Sequence, residues 1–240
     1  MSYDAVLSFF VFLFIISGCM IGGMILKATS GLWRKNAVYL NLFCGGLLGG
    51  LLIFDLIPET LGNYNALGIS SGFFLGILIM IIADHLLHRY HNPVHSKIGN
   101  ETFFFISLAL IVHSIPTGIA LGLNFDNGNS TSLLLAVLFH QVPEGAALMA
   151  AALSSQLSFN IFLFISLIVA GIFAANTFLG LTFQINSIKI DTLVLGTAVG
   201  TLAYVSFYEI LFKELKKISL HTIFVTLLGF FAIKLYFLLI

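Results

Sequence analysis

His140-Gln-Val-Pro-Glu-Gly145 sits in the middle of a long apolar segment and has a twin 27 residues upstream, His113-Ser-Ile-Pro-Thr-Gly118. Both read His-x-(Ile/Val)-Pro-x-Gly, and the apolar residues that follow, Ile119-Ala-Leu121 and Ala146-Ala-Leu148, repeat as well. The duplication reads as two halves of one site. In each copy the residue four after the histidine, Thr117 or Glu144, lies one turn along the same helical face. Pro116 and Pro143 have no N–H to give, so each releases the carbonyl of Val112 or Phe139 from helical bonding and bends its helix. The pattern predicts a polar notch in which side-chain nitrogen and oxygen stand beside a free carbonyl.

Composition says what surrounds that notch. The chain of 240 residues is 59% hydrophobic and 8% charged, with mean hydropathy +1.08 and no net charge, which is the profile of a polytopic membrane protein. No soluble domain remains to be assigned, and nothing points to nucleic acid. A helix crossing about 30 Å of hydrocarbon needs roughly 20 apolar residues. Eight such spans fit, at about 5–27, 36–59, 66–88, 101–124, 131–154, 158–183, 190–212 and 219–239, so the expected fold is all-α, one transmembrane domain over 1–240.

The first span lacks the basic n-region of a cleaved signal, having Asp4 and no Lys or Arg before Lys27. Cys19 and Cys44 fall inside apolar spans and read as packed thiols rather than a disulfide or a metal pair. With the N-terminus outside, eight of the ten basic residues (Lys27, Arg34, Lys35, Arg89, Lys97, Lys213, Lys216 and Lys217) fall in or beside the inner loops. The positive-inside rule therefore puts both termini outside.

The second span closes on Asp55-Leu-Ile-Pro-Glu59, and the seventh carries Glu209 and Glu214 near its inner end. The two acidic ends then face opposite sides of the membrane, as an inverted repeat would give, with Asp55 and Glu59 either an acidic helix end resting at the outer interface or a cation-attracting vestibule, and Glu209 toward the inner mouth. The connection between the third and fourth spans holds His85, His88, His91 and His95, with Asp84 beside them. Histidines at that spacing read either as a solvated run or as a soft metal-release patch.

An ionisable residue in hydrocarbon costs several kcal/mol unless partnered, which makes mid-span His113, His140 and Glu144 a functional expectation by default. An interhelical hydrogen bond would explain one histidine and one glutamate. It would not explain two prolines and two glycines at matching offsets. Two imidazoles and one carboxylate suit Zn²⁺, and also Fe²⁺, Co²⁺ or Ni²⁺, and leave a position open for water.

These residues resemble the ZIP (Zrt/Irt-like) family of divalent metal transporters. The resemblance runs over the whole chain: eight spans, outward termini, a histidine-bearing loop after the third span, and paired His/Pro/Gly motifs on the fourth and fifth. It implies a metal site at mid-membrane between those two helices, with helices 1–3 and 6–8 forming an inverted repeat around them. The family's fourth-span motif looks like His-Asn-x-Pro-Glu-Gly, and here Ser114 and Thr117 stand in place of Asn and Glu. Its fifth-span motif resembles (His/Gln)-(Glu/Asp)-x-Pro-(Glu/His)-Gly, and here Gln141 replaces the acid. Members with two metals usually place a glutamate in the sixth span, where this sequence offers only Asn176.

The expected site is therefore a single metal held by His113, His140 and Glu144, with Thr117 a weak or water-mediated ligand and Ser114, Gln141 and Asn176 neutral outer groups. The expected function is uptake of a divalent transition metal, zinc first, with no resident cofactor and no enzymatic activity. One carboxylate attracts hard ions such as Mn²⁺ less than several would. Histidine ligands bind metal only when neutral, so acidification should weaken uptake. A metal sensor that binds without transporting is the alternative; an intramembrane zinc hydrolase is a remoter one, since no His-Glu-x-x-His motif is present. Short loops and few charges suit a bacterial-type plasma membrane, and the glycine-rich spans permit a homodimer without demanding one.

Overall fold

A computed structural model describes residues 3–29, 31, 37–63, 65–90, 98–125, 130–183, 188–213 and 219–239. Among the described residues there is no strand, and the chain forms eight helical rods. These are α1 (Tyr3–Thr29), α2 (Ala37–Leu51, continued by π-helical Leu52–Leu56 and by Ile57–Asn63), α3 (Ala66–Tyr90), α4 (Ile98–Asn124), α5 (Ser130–Ser154), α6 (Phe159–Phe183), α7 (Ile188–Ala203, continued by π-helical Tyr204–Phe212) and α8 (Leu220–Leu239). Each matches one expected span with its ends moved by a few residues. Among the described residues, α1, α2, α3, α4, α6, α7 and α8 are long and apolar enough to cross a membrane.

Burial separates the rods into a centre and a shell. In α5 the consecutive residues Ala147, Leu148, Met149, Ala150, Ala151 and Ala152 are all buried, so protein surrounds that stretch of the helix on every side. The outer helices instead turn large apolar residues outward, among them Phe74 of α3, Phe164 of α6 and Phe224 and Phe231 of α8. An apolar exterior of this kind suits hydrocarbon rather than water.

Four pairs of helices make the most extensive contacts: α3 with α7, α1 with α5, α4 with α6, and α2 with α8. Further packing joins α1 to α6, α2 to α5, α4 to α7 and α4 to α5. Cys19 and Cys44 are free and buried, as their apolar surroundings led one to expect; the Cys44 thiol points to the Ala147 carbonyl at 3.2 Å.

The π-helical stretches in α2 and α7 have no counterpart in the sequence reading. A π turn inserts an extra residue and locally re-aims the side chains, and such turns recur at functional sites. Asp55 and Glu209, the two acids read as opposite mouths, each fall inside one.

Candidate metal centre

Both motif helices run through their prolines without breaking, with Pro116 inside α4 and Pro143 inside α5. The Phe139 carbonyl is not left free in the notch, contrary to expectation, because the Tyr236 hydroxyl of α8 donates to it at 3.0 Å. A buried carbonyl stripped of its helical donor is costly, and a neighbouring helix supplies the replacement.

His113, His140 and Glu144 are brought together. One ligand atom from each lies within 4.8 Å of the others. His113 Nε2 is 3.4 Å and His140 Nε2 3.6 Å from the same oxygen, Glu144 Oε1. The two imidazole planes are nearly parallel, at 9°, with centroids 5.9 Å apart. His113 and Glu144 are fully buried. The backbone of Ala198 on α7 bonds to the His113 ring, while among the described residues Glu144 Oε1 has no hydrogen-bond partner, and buried polar atoms are seldom left so unless something else is meant to satisfy them.

That geometry fits a metal. Ligands about 2.0–2.1 Å from a tetrahedral zinc stand roughly 3.4 Å from one another, close to the two nitrogen-to-oxygen distances here. The donor set, two imidazoles and one carboxylate, belongs to zinc and its transition-metal neighbours rather than to Mg²⁺ or Ca²⁺.

Asp55 is placed differently from its expected role in an outer vestibule. Its Oδ2 lies 2.8 Å from His140 Nδ1, so the π turn of α2 delivers a second carboxylate to the site's edge. A carboxylate accepts only, so Nδ1 carries the proton and Nε2 keeps its lone pair toward Glu144, a tautomer assigned from the bonding pattern. No spacing rule in the sequence links Asp55 to His140, 85 residues away, and the pairing was missed for that reason.

The neutral groups divide. Gln141 touches the cluster, donating from Nε2 to Glu144 Oε2 at 2.9 Å. The others bond to their own helices: Thr117 Oγ1 to the His113 carbonyl at 2.7 Å, Ser114 Oγ to the Leu110 carbonyl at 2.6 Å, and Asn176 Nδ2 to the Ile172 carbonyl at 2.8 Å. Hydroxyls and amides mid-helix commonly settle on a carbonyl four residues back. Thr117 has thus spent its proton on the backbone of the histidine it accompanies.

Away from the centre, Glu209 is buried and ion-paired with Lys213 at 2.7 Å. Its charge is already answered, which the reading of Glu209 as an inner-mouth acid did not foresee. His85 is exposed at the end of α3, and Asp84 beside it accepts a hydrogen bond from Tyr204. His91, His95 and the side chains of Glu59 and His88 lie outside the described residues.

No curated protein matches the chain. The family model described as "ZIP Zinc transporter" matches residues 93–236, more than half of the chain and inclusive of both motifs. Its members are metal transporters rather than enzymes, and the matched segment carries the only group of three or more potential metal-ligating side chains clustered among the described residues. The chain is an integral membrane protein with several apolar helices, and it belongs to the ZIP zinc transporter family.

Proposed function

We propose that this protein carries zinc across the membrane toward the cytoplasm through one metal site formed by His113 on α4 and His140 and Glu144 on α5. The observation that carries the reading is the convergence of three buried ligand atoms within 4.8 Å, two of them opposite a single carboxylate oxygen at near-tetrahedral ligand spacing. Zinc accumulation in proteoliposomes, measured for the wild type and His140→Ala, tests it. Flux abolished by His140→Ala supports the transporter. Zinc bound without flux in the wild type would move the assignment to a sensor, and equal flux in both proteins would remove the site from the transport path.

The packing supports an inverted repeat. Exchanging α1 with α6, α2 with α7, α3 with α8 and α4 with α5 converts α3–α7 into α8–α2, α1–α5 into α6–α4, and α2–α5 into α7–α4, all of them observed contacts. The exchange also relates the two π-helical stretches. Such a repeat about the α4/α5 pair is the architecture of alternating access, in which the two halves rock around a fixed midplane site. On this reading α5 crosses the membrane enclosed by its neighbours, both termini face outward, and the membrane is a bacterial-type plasma membrane.

Two expectations follow. Asp55→Ala should weaken zinc affinity by about 10- to 100-fold, the usual effect of removing a carboxylate that orients a histidine ligand; isothermal titration in nanodiscs measures it. The loss should persist in 0.5 M salt, because a contact at 2.8 Å is poorly screened, whereas a vestibule acid acting at a distance would lose its influence at roughly that ionic strength. The donor set also favours zinc over Mn²⁺ in competition uptake, and preferential Mn²⁺ accumulation would contradict the proposed ligands.

A further inference from the structure

The side of Glu144 turned away from the histidines is engaged by a second chain of contacts. Gln141 is buried at 1% exposure. Its Nε2 donates to Glu144 Oε2 at 2.9 Å, and its Oε1 receives the Cys19 thiol of α1 at 3.4 Å. The orientation of the amide follows from the chemistry at its two ends: a carboxylate oxygen requires a donor and a thiol S–H requires an acceptor. The reverse orientation would set the amide oxygen against the carboxylate. Helix α1 approaches closely here, since a Cβ at Gly18 would stand 2.8 Å from the Gln141 Cβ. Gln141 is thus clamped by the neighbouring helix.

We propose that Gln141 is a positioning residue that limits the centre to one metal. By donating to Oε2 it fixes the rotation of the Glu144 carboxylate, so that Oε1 is the oxygen that faces both imidazoles. A carboxylate that bridges two cations commonly uses both oxygens, and the group beside the second oxygen is here a neutral amide facing it with its donor. The same clamp makes Glu144 a one-oxygen ligand, which keeps coordination low and suits zinc. This inference rests on the reading of His113, His140 and Glu144 as the metal site.

Cobalt serves as a spectroscopic probe of the purified full chain in nanodiscs, with zinc affinity from isothermal titration and metal content by mass spectrometry. The wild type should bind one ion with the intense visible absorption of low-coordinate Co²⁺. Gln141→Leu should free Glu144 to chelate with both oxygens, weakening zinc affinity by about 10- to 100-fold and diminishing the cobalt absorption as coordination number rises. Cys19→Ala should move both readouts the same way more weakly. Cys19→Ser, which keeps a donor, should lie closer to the wild type, a rescue that mere packing would not give; this pair decides the matter if Gln141→Leu does not fold. Gln141→Glu should raise the bound metal toward two. Two ions in the wild type, or wild-type affinity and spectrum in both Gln141→Leu and Cys19→Ala, would overturn the inference. No cobalt or zinc bound by the wild type would instead overturn the metal site itself.

Discussion

Zinc flux through Glu144→Gln is expected to fall by more than about 100-fold, beyond the 10- to 100-fold range for groups that only orient ligands. The substitution changes one oxygen for an amide nitrogen and leaves the volume unaltered, so a fully buried residue keeps its packing. What it removes is the single negative charge among the three converging groups. Two neutral imidazoles alone would face the dication in a largely buried site, where charge is worth far more than at a surface. Glu144 Oε1 is also the atom both histidines share, at 3.4 and 3.6 Å, and an amide nitrogen there would present hydrogens to two imidazole nitrogens and to the metal. Asp55 does not compensate, because its carboxylate bonds to the far side of His140, at Nδ1. Zinc uptake by proteoliposomes, normalised to protein that elutes as one symmetrical peak, gives the result. Wild-type flux in that variant would show that the glutamate is not a ligand during transport.

The helical architecture and the three converging groups were legible because each rests on a local rule. Spans follow from runs of apolar residues matched to a bilayer, and Glu144 follows from the i, i+4 geometry of one helix. His113 joined them through the duplicated motif, a signal of repetition and not of contact. What escaped reading depends on which helix faces which. Asp55, Tyr236 and Cys19 approach α5 from three different helices, and nothing in their own neighbourhoods announces the partner. Apolar faces that look alike in sequence carry little information on rotation about the helix axis, so Asp55 reads as an acid at the outer end of its span and Cys19 as a packed thiol. The π-helical stretches belong to the same class: they re-aim Asp55 and Glu209, and neither stretch carries a proline or other punctuation except Pro58, just beyond the first. Lys213, assigned to the inner loop by its charge, turned back onto Glu209 one turn away, a local pair that the i, i+4 rule could have found.

Gly22→Val should lower the stability of the protein, while Gly171→Val should be tolerated. A Cβ at Gly22 would fall on the Val142 carbonyl oxygen and stand 2.8 Å from the Val142 carbonyl carbon and 2.9 Å from the Ala146 nitrogen. All three are backbone atoms of α5, so no rotamer relieves the clash and α1 must back away. At Gly171 on α6 a Cβ would meet nothing within 4 Å. Overpacking typically costs about 1–3 kcal/mol, and a clash with rigid backbone belongs at the upper end. Small residues at a helix crossing matter more in a membrane than in water, because lipid offers apolar side chains no less than a protein neighbour does and close packing is what remains to hold helices together. Thermal unfolding in detergent should show a midpoint several degrees lower for Gly22→Val and an unchanged one for Gly171→Val. The same substitution should weaken zinc binding in whatever folded protein survives, since the α1 face that carries Gly22 also carries Cys19, whose thiol meets Gln141. Equal midpoints for the two variants would mean that α1 does not pack against α5 at this distance, and the contact that orients Glu144 through Gln141 would lose its support with it.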